Sequence, residues 1–188
     1  ISALAAGNRV IIKPSEMTPN VSSLINKMIN ELFEPNRVAI FQGDQNVAQS
    51  LLKYPFHHIF FVGSPSVGKI VMAEAAKHLS SITLELGGKT PTIIDKTANV
   101  KMAINKLAWG KCLNLGQSCI SPDYILIHES KKNEFLEGLS KKINDVYGES
   151  YKEKKNSDHL ARIVNQRHWD RLDSLITSSI DKGANIVH

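Results

Sequence analysis

Short β-branched or aromatic runs alternate with amphipathic stretches from Arg9 to Glu85, and the turns joining them are brief. Arg9–Lys13, Val38–Gln42 and Ile59–Val62 read as strands, and the Ile82-Thr83-Leu84-Glu85 run as a fourth. Between them, the segment opened by Thr18 and Pro19, then Asn46–Lys53, then the stretch from Ser66 or Val67 to Leu79, read as helices. Thr18 offers a capping hydroxyl and Pro19 suits the first helical position. Alternating strands and helices with short connections predict a parallel sheet covered by helices. The expected fold class is therefore α/β, a Rossmann-like parallel sheet with helices on both faces. The first long helix is expected to pack on that sheet through Val21, Leu24, Ile25, Met28, Ile29 and Leu32, and the next-but-one through Val67, Ile70 and Val71. Ile1–Ala6 reads as the end of a helix stopped by Gly7-Asn8.

After Gly87-Gly88 the pattern changes to a short strand at Thr92–Ile94, a helix over Val100–Leu113, a strand at Asp123–His128 and helices over Lys131–Val146 and His168–Lys182, the last capped by Gly183. A boundary near Leu86 is expected, giving domains 1–86 and 87–188. With 42% hydrophobic and 22% charged residues in 188, the chain has material for a sizeable core and no sign of disorder. The formal charge of +5 lies mostly among lysines from Lys131 to Lys155 interleaved with Glu129, Glu134, Glu137, Asp145, Glu149 and Glu153. That is a solvated helix face rather than a single-sign stripe, so no nucleic-acid partner is expected. Two cysteines do not make a disulfide framework and fit a reducing, intracellular compartment. Seven histidines without ligand spacing give no metal site.

Two groups carry chemistry. A cysteine attacks an electrophile as its thiolate, and Gly116-Gln117 lead into Cys119 with a small residue that would let a substrate approach. Glu85 shares a strand face with Thr83, opposite Leu84 and Leu86, which points one carboxylate to one side of a strand where it is either paired or a base. Taken singly, each has a plain alternative: a buried inert thiol and an edge-strand glutamate. Cys112 reads as a small packed helix residue.

The run Leu84-Glu85-Leu86-Gly87-Gly88-Lys89 and the later Gly116-Gln117-Ser118-Cys119 together resemble the two signatures of the aldehyde dehydrogenase superfamily, in its order and at its spacing. The following Ile120-Ser121-Pro122-Asp123-Tyr124 is similar to the class 3 and fatty aldehyde branch. The resemblance extends over essentially the whole chain. It implies that residues 87–188 begin an α/β catalytic domain, with Cys119 as nucleophile and Glu85 as general base in one active site.

The dinucleotide fingerprint GxGxxG is absent. Gly63-Ser64-Pro65-Ser66-Val67-Gly68 follows a strand and opens a helix, where free N–H groups and the helix dipole favour a phosphate; a plain strand-to-helix turn reads equally well from the residues alone. The resemblance assigns Gly63, Ser64, Val67 and Gly68 to the cofactor pyrophosphate. It likewise places Lys13 and Glu16, with Ser15, at the adenine ribose, and sets Leu86 and Gly87 beside the cofactor. Lys13-Pro14-Ser15-Glu16 ends the first strand, and ligands of open α/β sheets bind beyond the carboxyl ends of strands.

The resemblance thus implies NAD, with NADP tolerated, and oxidation of an aldehyde, medium- or long-chain aliphatic in this branch, to a carboxylic acid through a thiohemiacetal and a thioester. Two rivals are a relative that passes the acyl group to coenzyme A and a non-catalytic protein that keeps the fold. The opening isoleucine implies residues before Ile1. By the same resemblance, an oxyanion-hole asparagine is expected before it, and the nicotinamide-ribose glutamate, any membrane-associating tail and a dimer interface beyond His188. The 188 residues alone are accordingly expected to be inactive and to self-associate.

Overall fold

The computed structural model describes residues 1–188, which divide into two compact units, Ile1–Glu85 and Leu86–His188. Both use one device, a strand followed by a crossover helix and a second strand parallel to the first. In the first unit a short helix α1 (Ser2–Ala5) precedes β1 (Val10–Ile12), which pairs in parallel with β2 (Val38–Ile40) across α2 (Pro19–Leu32). After α3 (Gln45–Leu51), β3 (His58–Val62) pairs in parallel with β4 (Ser81–Glu85) across α4 (Pro65–Ala76). In the second unit β5 (Thr90–Ile94) pairs with β6 (Pro122–Ile127) across α5 (Val100–Cys112), and α6 (Glu129–Tyr147), α7 (Tyr151–Asn156) and α8 (Gln166–Asp181) follow. The strands thus form three two-stranded parallel ladders. No helix is long and apolar enough to cross a membrane.

Local chemistry explains most of the boundaries. Asp44 caps α3 by accepting the Asn46 N–H at 2.8 Å, Ser64 caps α4 through the Val67 N–H at 3.3 Å, and Asn99 caps α5 through the Met102 N–H at 3.0 Å. Ser150 and Glu153 form a reciprocal capping box on α7. Gly183, with φ +95°, ends α8, its N–H donating to the Ile180 carbonyl at 2.8 Å.

Three expectations need correction. Thr18 precedes α2 without a side-chain cap; the helix start is tied instead by Ser22, which is buried and donates to the Ser15 carbonyl at 2.6 Å. The apolar stripe of α2 does not all face the strands: Ile25 and Ile29 are half-buried, whereas Val21, Leu24, Met28 and Leu32 are exposed. Two strands about 4.8 Å apart are a narrower platform than a stripe of that width needs. In α4 the inward residues are Gly68, Val71 and Ala75, while Val67 and Ile70 are 43% and 55% exposed. Gly68 and Ala75 lack bulk, so that face approaches β3 and β4 most closely.

The contiguous core lies in the second unit. Ile94, Val100, Leu107 and Phe135 are buried together, with Ile104, Ile125, Ile127 and Leu139 packed around them. Inward and outward residues alternate along β5 and β6: Ile94, Ile125 and Ile127 face the helices, and Ile93, Tyr124 and Leu126 stay exposed. In the first unit the buried apolar residues are Val38, Val71 and Ala75.

Candidate active site

In the first unit the candidate groups gather at the carboxyl ends of strands. Lys13, just past β1, pairs with Glu16 at 2.5 Å, and the ammonium beside it holds the Glu16 carboxyl below its ordinary range. Ser15 braces the same turn, its hydroxyl accepting the Met17 N–H at 3.2 Å. At the ends of β3 and β4, Val62 lies opposite Glu85, and the Gly63 N–H donates to the Glu85 carbonyl at 3.0 Å. Glu85 therefore stands beside the Gly63–Gly68 turn. Paired positions of a parallel ladder share a face, so Glu85 lies with Thr83, Phe60 and Val62 on the side away from the half-buried Ile59, Ile82 and Leu84. Its carboxylate is exposed and belongs to none of the ion pairs of the chain. At the start of α4, Pro65 has no N–H, and Ser64 accepts those of Val67 and Gly68 through its hydroxyl and carbonyl. The donors left over are the Ser66 N–H and one hydroxyl hydrogen, since the Ser64 and Ser66 hydroxyls hydrogen-bond to each other at 2.9 Å.

In the second unit, α5 runs into a 3₁₀ turn at Leu113–Gly116, where Asn114 and Leu115 both adopt the left-handed conformation, with φ +51° and +52°. Two consecutive non-glycine residues there store strain that the surroundings must sustain. Gly116 follows at φ +73°, and the chain then presents Cys119, exposed, before turning into β6 through the Ser121 N–H to Ser118 carbonyl bond at 3.2 Å. The backbone of Cys119 is seated on the Gly87-Gly88 turn. A Cβ on Gly88 would lie 2.1 Å from the Cys119 carbonyl oxygen, and the Thr90 hydroxyl donates to that oxygen at 3.4 Å. Nothing lies within 4 Å of the corresponding position on Gly87. A further tie joins the same motifs: Lys89 pairs with Asp123 at 2.5 Å and holds its carboxyl below the ordinary range. The other thiol differs. Cys112 is half-buried, and burial pushes its thiol up against the opposing effects of a Tyr147 hydrogen bond and Lys111, which leaves less thiolate for reaction.

Comparison with known proteins assigns the family. The aldehyde dehydrogenase family matches residues 1–188. The chain belongs to the aldehyde dehydrogenase family. The 4,4'-diaponeurosporen-aldehyde dehydrogenase of Staphylococcus aureus is 46% identical over 95% of this chain and 38% of its own length. The dimeric NADP-preferring aldehyde dehydrogenase of Mus musculus is 44% identical over 95% of this chain and 39% of its own length. Among solved structures, the substrate-bound state of Staphylococcus aureus AldH superposes with a TM-score of 0.87 at 46% identity, covering 95% of this chain and 38% of that one. The chain thus spans under two fifths of the length of these aldehyde dehydrogenases, and its α/β architecture is theirs.

Within this aldehyde dehydrogenase chain the structure brings Gly63 to Glu85, and the Gly88–Thr90 segment to Cys119. Lys13, Ser15 and Glu16 gather at their own strand end, and Leu86 and Gly87 lead from β4 into the turn beneath Cys119. Gly88, Thr90, Gln117 and Arg162 support the cysteine loop without having been legible as its supports. The signal for Gly88 was the glycine pair itself, since a second glycine implies a close backbone approach. Arg162 carried none.

Proposed function

We propose that the protein oxidises an aldehyde to a carboxylic acid with a nicotinamide dinucleotide as hydride acceptor. The observation that carries this reading is the exposed Cys119, presented on a loop whose backbone is seated on a glycine that tolerates no side chain. The thiolate of Cys119 adds to the carbonyl carbon; a C–S bond forms and the π pair moves to oxygen. The Cys119 N–H, which donates to no backbone carbonyl, is the donor read for that oxyanion. A nicotinamide dinucleotide, when bound, would supply the hydride acceptor; as the oxyanion collapses to a carbonyl, loss of hydride from the same carbon would leave a thioester on Cys119. Glu85 takes a proton from water as its oxygen attacks the thioester; the C–S bond breaks, the thiolate is regenerated and the acid departs.

The residues of the first unit suit such a dinucleotide in their chemistry. The Ser66 N–H and the hydroxyl hydrogen not spent between Ser64 and Ser66 at the start of α4 are donors for a pyrophosphate, supported by the helix dipole. The Glu16 oxygen not engaged by Lys13 is an acceptor for a ribose hydroxyl. A carboxylate there opposes a 2′-phosphate and Lys13 offsets part of that repulsion, so NAD is favoured and NADP tolerated. On this reading residues up to Leu86 belong to the cofactor-binding part, and those from Gly87 to the part that carries the nucleophile. An aliphatic aldehyde as substrate and a dimer as assembly belong to the same proposal.

NAD reduction by the full-length protein with a panel of aldehydes, with and without coenzyme A, tests the reading. Aldehyde-dependent NADH formation without coenzyme A is expected, and Cys119→Ala should abolish it while cofactor binding, read by fluorescence titration, survives. Turnover only with coenzyme A would favour acyl transfer. Retained turnover in Cys119→Ala would remove the thiol from the mechanism, and no turnover with any aldehyde would favour a non-catalytic role.

A further inference from the structure

We propose that Gln117 is a positioning residue: its side-chain amide clips the strained loop that presents Cys119 to the Arg162–Val164 segment. This rests on the role of Cys119 proposed above. The amide is used on both sides. Its Nε2 donates to the Asn114 carbonyl at 3.0 Å and to the Arg162 carbonyl at 3.0 Å, and its Oε1 accepts the Val164 N–H at 3.0 Å. Asn114 answers by donating its own side-chain amide to the Gln117 carbonyl at 3.1 Å, which closes a ring around the left-handed Asn114–Leu115 pair.

The segment on the far side is itself held. The Arg162 guanidinium donates to the carbonyls of Lys155, at the C-terminal end of α7, and of Leu160 and Ala161. The Asn165 carboxamide then caps α8 through the His168 N–H at 2.9 Å. Gln117 is thus the side chain through which the loop, two residues before the thiol, is bonded to a part of the chain 45 to 47 residues away.

The physical need is plain. Asn114 and Leu115 lie where L-residues rarely stay, and an unsecured turn would relax toward ordinary dihedrals and carry Cys119 with it. No charged or apolar residue replaces the clip. A carboxylate at 117 keeps the acceptor for Val164 but loses both donors and sets a negative charge against two carbonyl oxygens. An alanine removes all three bonds.

The test compares Gln117→Glu and Gln117→Ala with the wild type, all in the full-length protein, by amide hydrogen exchange and by steady-state kinetics. Exchange is expected to quicken at residues 113–119 and 162–165, with α5 and β6 still protected. The expected kcat falls about 10²-fold in both variants, as for a reacting group displaced by around an ångström, while KM for the cofactor stays near wild type. Exchange or kcat unchanged in both variants overturns the proposal. Exchange that quickens throughout Leu86–His188 also overturns it, since Gln117 would then be a general fold residue. Should the wild-type protein reduce no NAD with any aldehyde, the reaction assigned above fails, whereas a local exchange change in the variants still reports the clip.

Discussion

The two candidate regions are secured in different ways. In the first unit the groups proposed for the cofactor are held mostly by neighbours in sequence, Lys13 by Glu16, Met17 by Ser15 and Val67 by Ser64, with the Gly63 N–H to Glu85 carbonyl bond as the longer tie. In the second unit the loop of Cys119 is held by partners 29 to 47 residues away, through Thr90, Arg162 and Val164. The cores differ in the same sense, with one contiguous cluster around Ile94 and Phe135 in the second unit and Val38, Val71 and Ala75 as the buried apolar side chains of the first. Groups that bind by charge and hydrogen bonding work from short local turns, because solvent and side-chain adjustment absorb small errors. A nucleophile must meet an electrophile at one distance and angle, and a strained loop keeps those only if remote contacts enforce them.

The sharpest way to break this contrast is at Glu85, which sits in the locally secured unit yet is assigned chemistry. Its carboxylate has no ion pair in the chain, so Glu85→Gln should leave the thermal midpoint near wild type. Steady-state turnover should fall by about 10² to 10⁴, the usual effect of losing a general base. Intact-mass analysis should then find an acyl group on the peptide of Cys119; wild-type deacylation in the variant would remove Glu85 from that step.

Gly88→Ala tests the remote half of the contrast with a single methyl group. The new Cβ meets the Cys119 carbonyl, a backbone group that cannot swing away, so the loop must shift. We expect kcat to drop about 10²-fold with little change in cofactor affinity. A variant with wild-type kcat would mean the seat beneath Cys119 does not set its position.

The smallest effect is expected at Glu16. Its carboxyl titrates below the ordinary value because of Lys13, so the pair contributes stability that is present above the unfolded pKa and lost as pH falls through the folded one. For so exposed a pair that is at most about 1 kcal/mol. The melting temperature of Glu16→Gln should therefore fall less steeply than that of wild type as pH drops below about 4. The NAD-to-NADP ratio of kcat/KM should fall in the same variant. An unchanged ratio would place Glu16 away from the ribose, while an identical acid profile would show the ion pair to be energetically silent.

What the residues by themselves determined is what short-range chemistry can determine. Strand and helix order, the stop at Gly183, the face of Glu85 and the setting of a thiol and a carboxylate in glycine-flanked motifs all follow from propensity, periodicity and motif. Even so, α7 has no counterpart among the sequence expectations although Ser150 and Glu153 carry the capping-box spacing, and the Thr18 hydroxyl that suits a cap makes no such bond. Only the tertiary structure decided which apolar residues are covered, that Gly88 lies against Cys119, and that Gln117 reaches Arg162 and Val164. A periodic stripe states that a helix has an apolar face but not how wide a surface will meet it. Likewise, a glutamine amide is compatible with many partners until the intervening chain has folded and the entropy of closing that loop has been met by the packing of α5, α6 and the β5–β6 pair.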